Sequence, residues 1–443
     1  MGIKDKSKDF AGRMKLGPHH TIERFGVIFT ALTTMFALLF VGTIASAALN
    51  SRSALDTTAL YTPTFTTSKT QLAGSVEGVY ISKDEKRAMI LMKFKDSAAG
   101  SFSANAENYQ AFLSGSNSKL GQEGLKTNIE GSIVMFGSTG YMGVVLDSDQ
   151  PFQQQILNLT LRANSELVYN AETSGSRIRE DLRDDNSFQK YDQWRLYFNP
   201  GASQAEVSDA LSGGRIDPGA LYSELVIQSQ EDEIREEMDD QLKQMQVDLS
   251  RIAEYNAEMD RTNVDGVRIV PPKVPAPVAG DQVLGEPAHT DKSGKEIPST
   301  LRLDTKWTSP RGYDFDWRDG SVTEGYLDEI VPQDESYVTY LANKAQAGNS
   351  DGSDANQRFQ PNDMEWKLSN GTDLKQDYTS SDTTMKPLKD IMNNLTQAYQ
   401  TYYRNKIDYQ VGSYSELLEL EVQLRNVRSA QSINNSDDAL LTY

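Results

Sequence analysis

The chain has no cysteine and only three histidines in 443 residues. Without cysteine no disulfide can brace it, so its folded parts must be held by core packing. Thiol nucleophiles and thiolate metal sites are excluded with it. His19 and His20 lie in a basic N-terminal segment, and His289 lies in a proline-rich stretch. No histidine therefore falls on a core element where it could serve as the base of a Ser-His-Asp site. Long apolar runs are equally scarce. There is one, residues 25–49, and it contains no Asp, Glu, Lys or Arg.

That run carries the most information. About 20 apolar residues suffice to cross a bilayer as a helix. Lys4, Lys6, Lys8, Arg13, Lys15 and Arg24 precede it, whereas Arg52 and Lys69 are the first cations after it. Positive flanks stay in the cytoplasm, which places the short tail inside and the bulk of the chain outside. A single transmembrane helix is expected over 25–49, with the protein at the cell membrane and its C-terminal bulk extracellular. Ala45-Ser46-Ala47 has the small-residue pattern of a signal cleavage site, and removal of the segment is the alternative. Either way the remainder is read as exported, and a large exported chain without cysteine fits a bacterial envelope.

Formal net charge is -19. The first 24 residues hold six basic and three acidic side chains, so the remainder carries 38 basic against 60 acidic. Such a surface repels nucleic-acid phosphates and favours basic partners. No nucleic acid and no cofactor are expected.

The walk along the chain gives an α+β protein. Residues 50–70 are polar and threonine-rich, and read as a stalk. Over 71–170, period-two runs at Val76, Val79 and Ile81, at Ala88 to Phe94, at Ile133 to Phe136, at Tyr141 to Leu146 and at Leu157 to Leu161 predict a β-sandwich-like domain. Gly137, Gly140 and Gly143 lie between two such runs and mark a hairpin rather than a phosphate loop. Residues 171–270 form a charged region with a long acidic helix. Asp217-Pro218 supplies its start, an N-cap carboxylate followed by proline. Residues 271–300 are a proline-rich linker, 301–430 a mixed C-terminal domain and 431–443 a polar tail. The C-terminal domain is expected to end in an antiparallel helical hairpin broken at Gly412, with Ser413 to Glu416 as a capping box.

Two features are candidate partner-binding surfaces. Met238, Leu242, Met245, Leu249 and Ile252 are spaced 4, 3, 4 and 3 residues apart, which is an a/d seam of about two heptads. The seam could pair with a second copy or lie on a neighbouring element. Tyr313, Phe315 and Trp317 alternate with Asp314 and Asp316 ahead of Arg318-Asp319-Gly320, which predicts a β-hairpin with an aromatic face. Asp314, Asp316 and Asp319 also form a loose calcium-loop pattern, with the third acid and the glycine one residue late for an EF-hand. Ser116 to Lys119 spells Ser-x-x-Lys, but on a glycine- and serine-rich loop rather than the helix that chemistry needs.

These features predict a non-enzymatic, membrane-anchored scaffold or adaptor of a bacterial envelope assembly, in secretion, conjugation or wall construction. The competing expectation is an envelope glycan hydrolase or glycan-binding protein. It would use paired carboxylates, with Trp307, Trp317 and Trp366 stacking on sugar rings.

Overall fold

The computed structural model describes residues 57–95, 102–117, 119–163, 191–347, 364–374 and 383–443. The expected transmembrane segment and the first part of the charged region read over 171–270 lie outside them. Among the described residues no helix is long and apolar enough to cross a membrane. The architecture of the described residues is α+β and, contrary to expectation, carries no transmembrane helix. The described chain divides into two compact units. The first comprises residues up to Val134, Met142–Ser212 and Asn434–Tyr443; the second comprises Met135–Tyr141 and Gly213–Ile433.

The first unit is built on two sheets. One contains β1 (Thr64–Thr66), β2 (Ala73–Ile81), β3 (Arg87–Phe94), β6 (Ile129–Met135) and β7 (Tyr141–Ser148) in the order β1-β2-β3-β7-β6. The other runs β18-β4-β8-β9, from β4 (Tyr109–Ser116), β8 (Ile156–Ala163), β9 (Gln193–Phe198) and β18 (Leu440–Thr442). Short strands β5 (Gln122–Glu123) and β10 (Glu206–Val207) pair with β4 and β2.

Aromatic rings join the sheets. Trp194 of β9 stacks on Phe65 of β1 at 5.6 Å and meets Phe94 of β3 edge-on at 5.7 Å. Such pairs add about 0.5–1.5 kcal/mol beyond their buried area. Phe65 thus ties part of the expected stalk into the core. The alternation in β3 predicts one buried face, yet Ala88, Met89, Ile90, Leu91 and Met92 are all buried. The segment after β10 helps to cover the sheet: Ser208 N donates to Ile81 O, and the Arg87 guanidinium donates to Leu211 O. Ser203 to Ala205 leads into β10. The turn after β6 uses Gly137 and Gly140 at φ of +58° and +85°, values that favour glycine over residues with a Cβ.

The second unit is built on two long helical rods. Asp217 caps α1 (Pro218–Tyr222) by accepting from Gly219 N and Ala220 N at 2.9 and 3.2 Å. One π turn (Ser223–Ile227) leads directly into α2 (Gln228–Arg261), which ends at Thr262. Strands β11 (Ile269–Val270), β12 (Gln282–Leu284), β13 (His289–Thr290), β14 (Glu296–Ile297), β15 (Arg302–Asp304) and β16 (Lys367–Leu368) form three two-stranded ladders. Short helices α3 (Leu327–Ile330) and α4 (Tyr337–Gln346) follow β15 in sequence.

The C-terminal rod consists of α5 (Lys386–Ile407), a second π turn (Asp408–Ser413) and α6 (Tyr414–Ala430). The expected helical hairpin does not form. Asp408, Ser413 and Tyr414 all keep right-handed helical angles, and Gly412 has no positive φ. Ser413 donates its hydroxyl to Gln241 Oε1 instead of capping a new helix. A helix tolerates one glycine at a modest propensity cost when packing supports the backbone on either side. The rods run antiparallel: Tyr222 bonds Gln423, Gln241 bonds Ser413 and Asp248 bonds Asn405. The partner number falls as the residue number rises. Beyond α6, β17 (Ser432–Asn434) crosses the division between units.

Candidate functional site

The residues that the sequence marks for partner binding lie largely inside the second unit. Met238, Leu242, Met245 and Ile252 are buried, and Leu249 is half-buried. Their helix packs against α5, so the seam has its partner within the same chain. The stretch 313–317 is irregular rather than a β-hairpin. Tyr313 and Trp317 are buried and Phe315 is half-buried.

The second π turn explains why that stretch forms no hairpin. A π turn offsets the backbone register and is often found at special sites. Here Gln410 O accepts from Tyr313 N at 2.9 Å, and Gln410 Oε1 accepts from Ser309 N at 3.2 Å. Trp317 Nε1 donates to Tyr409 OH at 2.9 Å, and Tyr414 OH donates to Phe315 O at 2.7 Å. Phe315 packs on Tyr414 with ring centroids 4.7 Å apart. Helix groups thus take the hydrogen bonds that a return strand would have made.

Charged groups extend this cluster. Glu231 accepts from Val322 N at 3.2 Å and from Arg235 Nε at 3.0 Å. Arg235 also donates to Gly320 O and Tyr326 OH. Tyr326 OH donates to Trp317 O at 2.8 Å. Arg318 pairs with Asp239 and lies over the Trp317 ring, 4.1 Å from its centroid.

A second charged centre lies at Lys406, which is fully buried. Its ammonium donates to Asp281 Oδ2 at 2.6 Å, Thr305 Oγ1 at 2.7 Å and Pro277 O at 2.7 Å. Asp281 also accepts from Tyr402 OH at 2.8 Å and Thr305 Oγ1 at 2.6 Å. Burial pulls the Lys406 pKa down, and the bond to Asp281 opposes that shift. Burial and the neighbouring Asp281 carboxylate push the Tyr402 hydroxyl up. The expected proline-rich linker is thereby pinned to α5.

Carboxylates at the calcium-loop pattern do not gather. Asp314, Asp316 and Asp319 are exposed, and Asp316 Oδ1 accepts from Arg318 N at 3.0 Å within the turn. Among the described residues no group of three His, Cys, Asp or Glu is placed to hold a metal ion. Trp317 and Trp366 are buried, while Trp307 is half-buried and faces the Lys406 ammonium. Ser116 lies in β4 rather than on a helix.

Two open clefts of this unit share Arg428 in their walls. One open cleft of about 420 Å³ has Glu324, Asp328, Tyr337, Arg425 and Arg428 on its walls. Another of about 620 Å³ has Asp217, Ser223, Glu224, Thr323 and Arg428. Arg425 is held by Glu421 at 2.6 Å and Asp328 at 2.8 Å. Buried Glu421 also accepts from Leu327 N at 2.9 Å. Arg428 donates to Thr323 O at 3.2 Å.

Sequence reasoning missed Glu231, Asp248, Lys406 and Glu421. A signal was present, because each occupies an apolar-stripe position. Glu231 lies seven residues before Met238, Asp248 three after Met245, Lys406 four after Tyr402 and Glu421 four after Leu417. A charge on a buried stripe demands a partner, and each of these has one. No family model matches the chain, and no curated protein or solved structure matches it.

Proposed function

We propose that this chain is a non-enzymatic scaffold or adaptor of an assembly outside the cytoplasm. One observation carries the reading. The buried charged groups of the second unit, Lys406, Asp248, Asp281, Glu231 and Glu421, spend hydrogen bonds on neighbouring segments. Groups so committed favour rigidity over turnover, because a general acid or base must keep a face open to substrate. The excess of acids after residue 24 favours basic partner surfaces and speeds encounter with them. The uncharged run at 25–49, with basic residues before it, supports export.

The test is crosslinking in native cells, followed by identification of the proteins joined to this chain. Adducts with other envelope proteins are the expected result. Clearing of wall glycan in a zymogram, abolished by one Asp or Glu substitution, would overturn the reading in favour of a hydrolase.

A further inference from the structure

The polar tail expected at 431–443 ends in a strand. β18 pairs in parallel with β4, with Leu440 beside Ala111, Leu441 beside Phe112 and Thr442 beside Leu113. Ala111 N donates to Ala439 O at 2.9 Å, and Tyr443 N donates to Leu113 O at 3.0 Å. Gln110 Nε2 donates to Asp438 O at 2.8 Å. The tail thus supplies the edge strand of a sheet whose other strands come from residues before 200.

The receiving edge is built for such a strand. β5 covers β4 only at Gly115 and Ser116, which leaves Ala111 to Leu113 for β18. Gly131 of β6 leaves space that Leu440 fills; a Cβ there would lie 2.5 Å from the leucine Cδ2. Phe112 offers its ring to Tyr443, with centroids 6.4 Å apart and planes 20° apart. Buried Arg162 supports this surface, donating to Gln110 Oε1 at 2.7 Å and lying 4.7 Å from the centre of the Phe112 ring.

The strand itself is lightly held. Only Ala439 and Leu440 bury their side chains, and Tyr443 remains exposed. The residues leading into it, Asn434 to Asp438, are all polar. A short strand with few buried apolar groups belongs to the part of a fold that opens first. Opening exposes the N–H and C=O groups of a sheet edge, which pair readily with another chain. The segment that fits this edge best is the one already shaped to it, and every copy of the chain carries that segment.

We propose that β18 is an exchangeable strand, and that the β4 edge of one copy accepts residues 439–443 of a second copy in the same parallel register. Each copy then offers one strand and one edge, so the contact is head-to-tail and propagates unless it closes on itself. This extends the scaffold reading without depending on it, because exchange can occur whether or not other proteins bind.

The absence of cysteine provides a clean test. Phe112→Cys and Leu441→Cys are placed on separate full-length chains, and the two proteins are mixed under mild oxidation. Neighbours in paired strands fall within the Cα separation of about 4.4–6.8 Å that a disulfide spans. A disulfide-linked dimer that forms in the mixture is the expected result, at least ~10-fold above a mixture in which Lys83→Cys replaces Phe112→Cys. A third protein carries both substitutions on one chain. If that chain closes internally while the mixture stays unlinked, β18 is a fixed part of its own molecule and the proposal fails. If unlabelled peptide 434–443 added in excess suppresses the mixed dimer, the edge is confirmed as the site of linkage.

Discussion

Lys406 uses all three ammonium hydrogens inside the fold, on Asp281, Thr305 and Pro277. Removing one member of a buried pair strands the other, at a cost of about 3–5 kcal/mol. Lys406→Met should therefore lower stability by that amount in urea unfolding. Lys406→Met combined with Asp281→Asn should recover part of the loss, because no unpaired charge then remains. Equal loss in the single and double variants would show that packing, not charge, dominates at this point. The tyrosines give a second residue-scale prediction. Burial raises the hydroxyl pKa of Tyr109, Tyr222, Tyr326, Tyr402 and Tyr414 above the usual value of 10.0. The unfolded chain would release these protons first. Their contribution is complete below pH 10 and falls above it, by about 1.4 kcal/mol per pH unit for each tyrosine that stays protonated in the fold. Tyrosinate absorbance should rise together with loss of circular dichroism. Ionisation that precedes unfolding would contradict the burial assigned to these rings.

At the scale of elements, the seam of α2 was legible because its spacing depends only on helix geometry. Its partner was not legible, since an apolar stripe does not say whether the opposite face belongs to the same chain. Leu242→Ala should cost about 2–5 kcal/mol through cavity formation and leave the association state unchanged. A change of association state with little change in stability would return the seam to an intermolecular role. Five strands of the first unit, β2, β3, β6, β7 and β8, were readable from period-two alternation, whereas β1, β4 and β18 were not; the N-cap at Asp217 was readable from local chemistry. The hairpin at 313–317 was misread because alternation cannot report that Tyr409, Gln410 and Tyr414, almost a hundred residues later, supply the missing bonds. The helical hairpin was misread for a related reason. Gly412 looks like a breaker only until the π turn around it is seen to be packed against the 309–317 loop and α2. Asp217→Ala, at the start of the first rod, should cost about 1 kcal/mol by loss of the cap, read by thermal unfolding.

For the whole molecule, two compact units divide the described chain, and the chain enters the first unit again at its C-terminal end. Composition foretold the charge and the absence of disulfides, whereas the return of the tail left only a short apolar mark, Ala439 to Leu441, after a polar run. An acidic exterior also sets a direction for binding. Association with a basic partner should weaken as ionic strength rises, because screening acts over about 8 Å at physiological salt. Binding that strengthens with salt would point to apolar contact instead. The central claim is that this chain works by holding other proteins. It is tested most directly by crosslinking in the native cell and measuring the mass of the species that contains it. The account predicts adducts with at least one different protein, above the 49.3 kDa of the chain alone. A chain recovered only at its own mass, or only joined to itself, would contradict it.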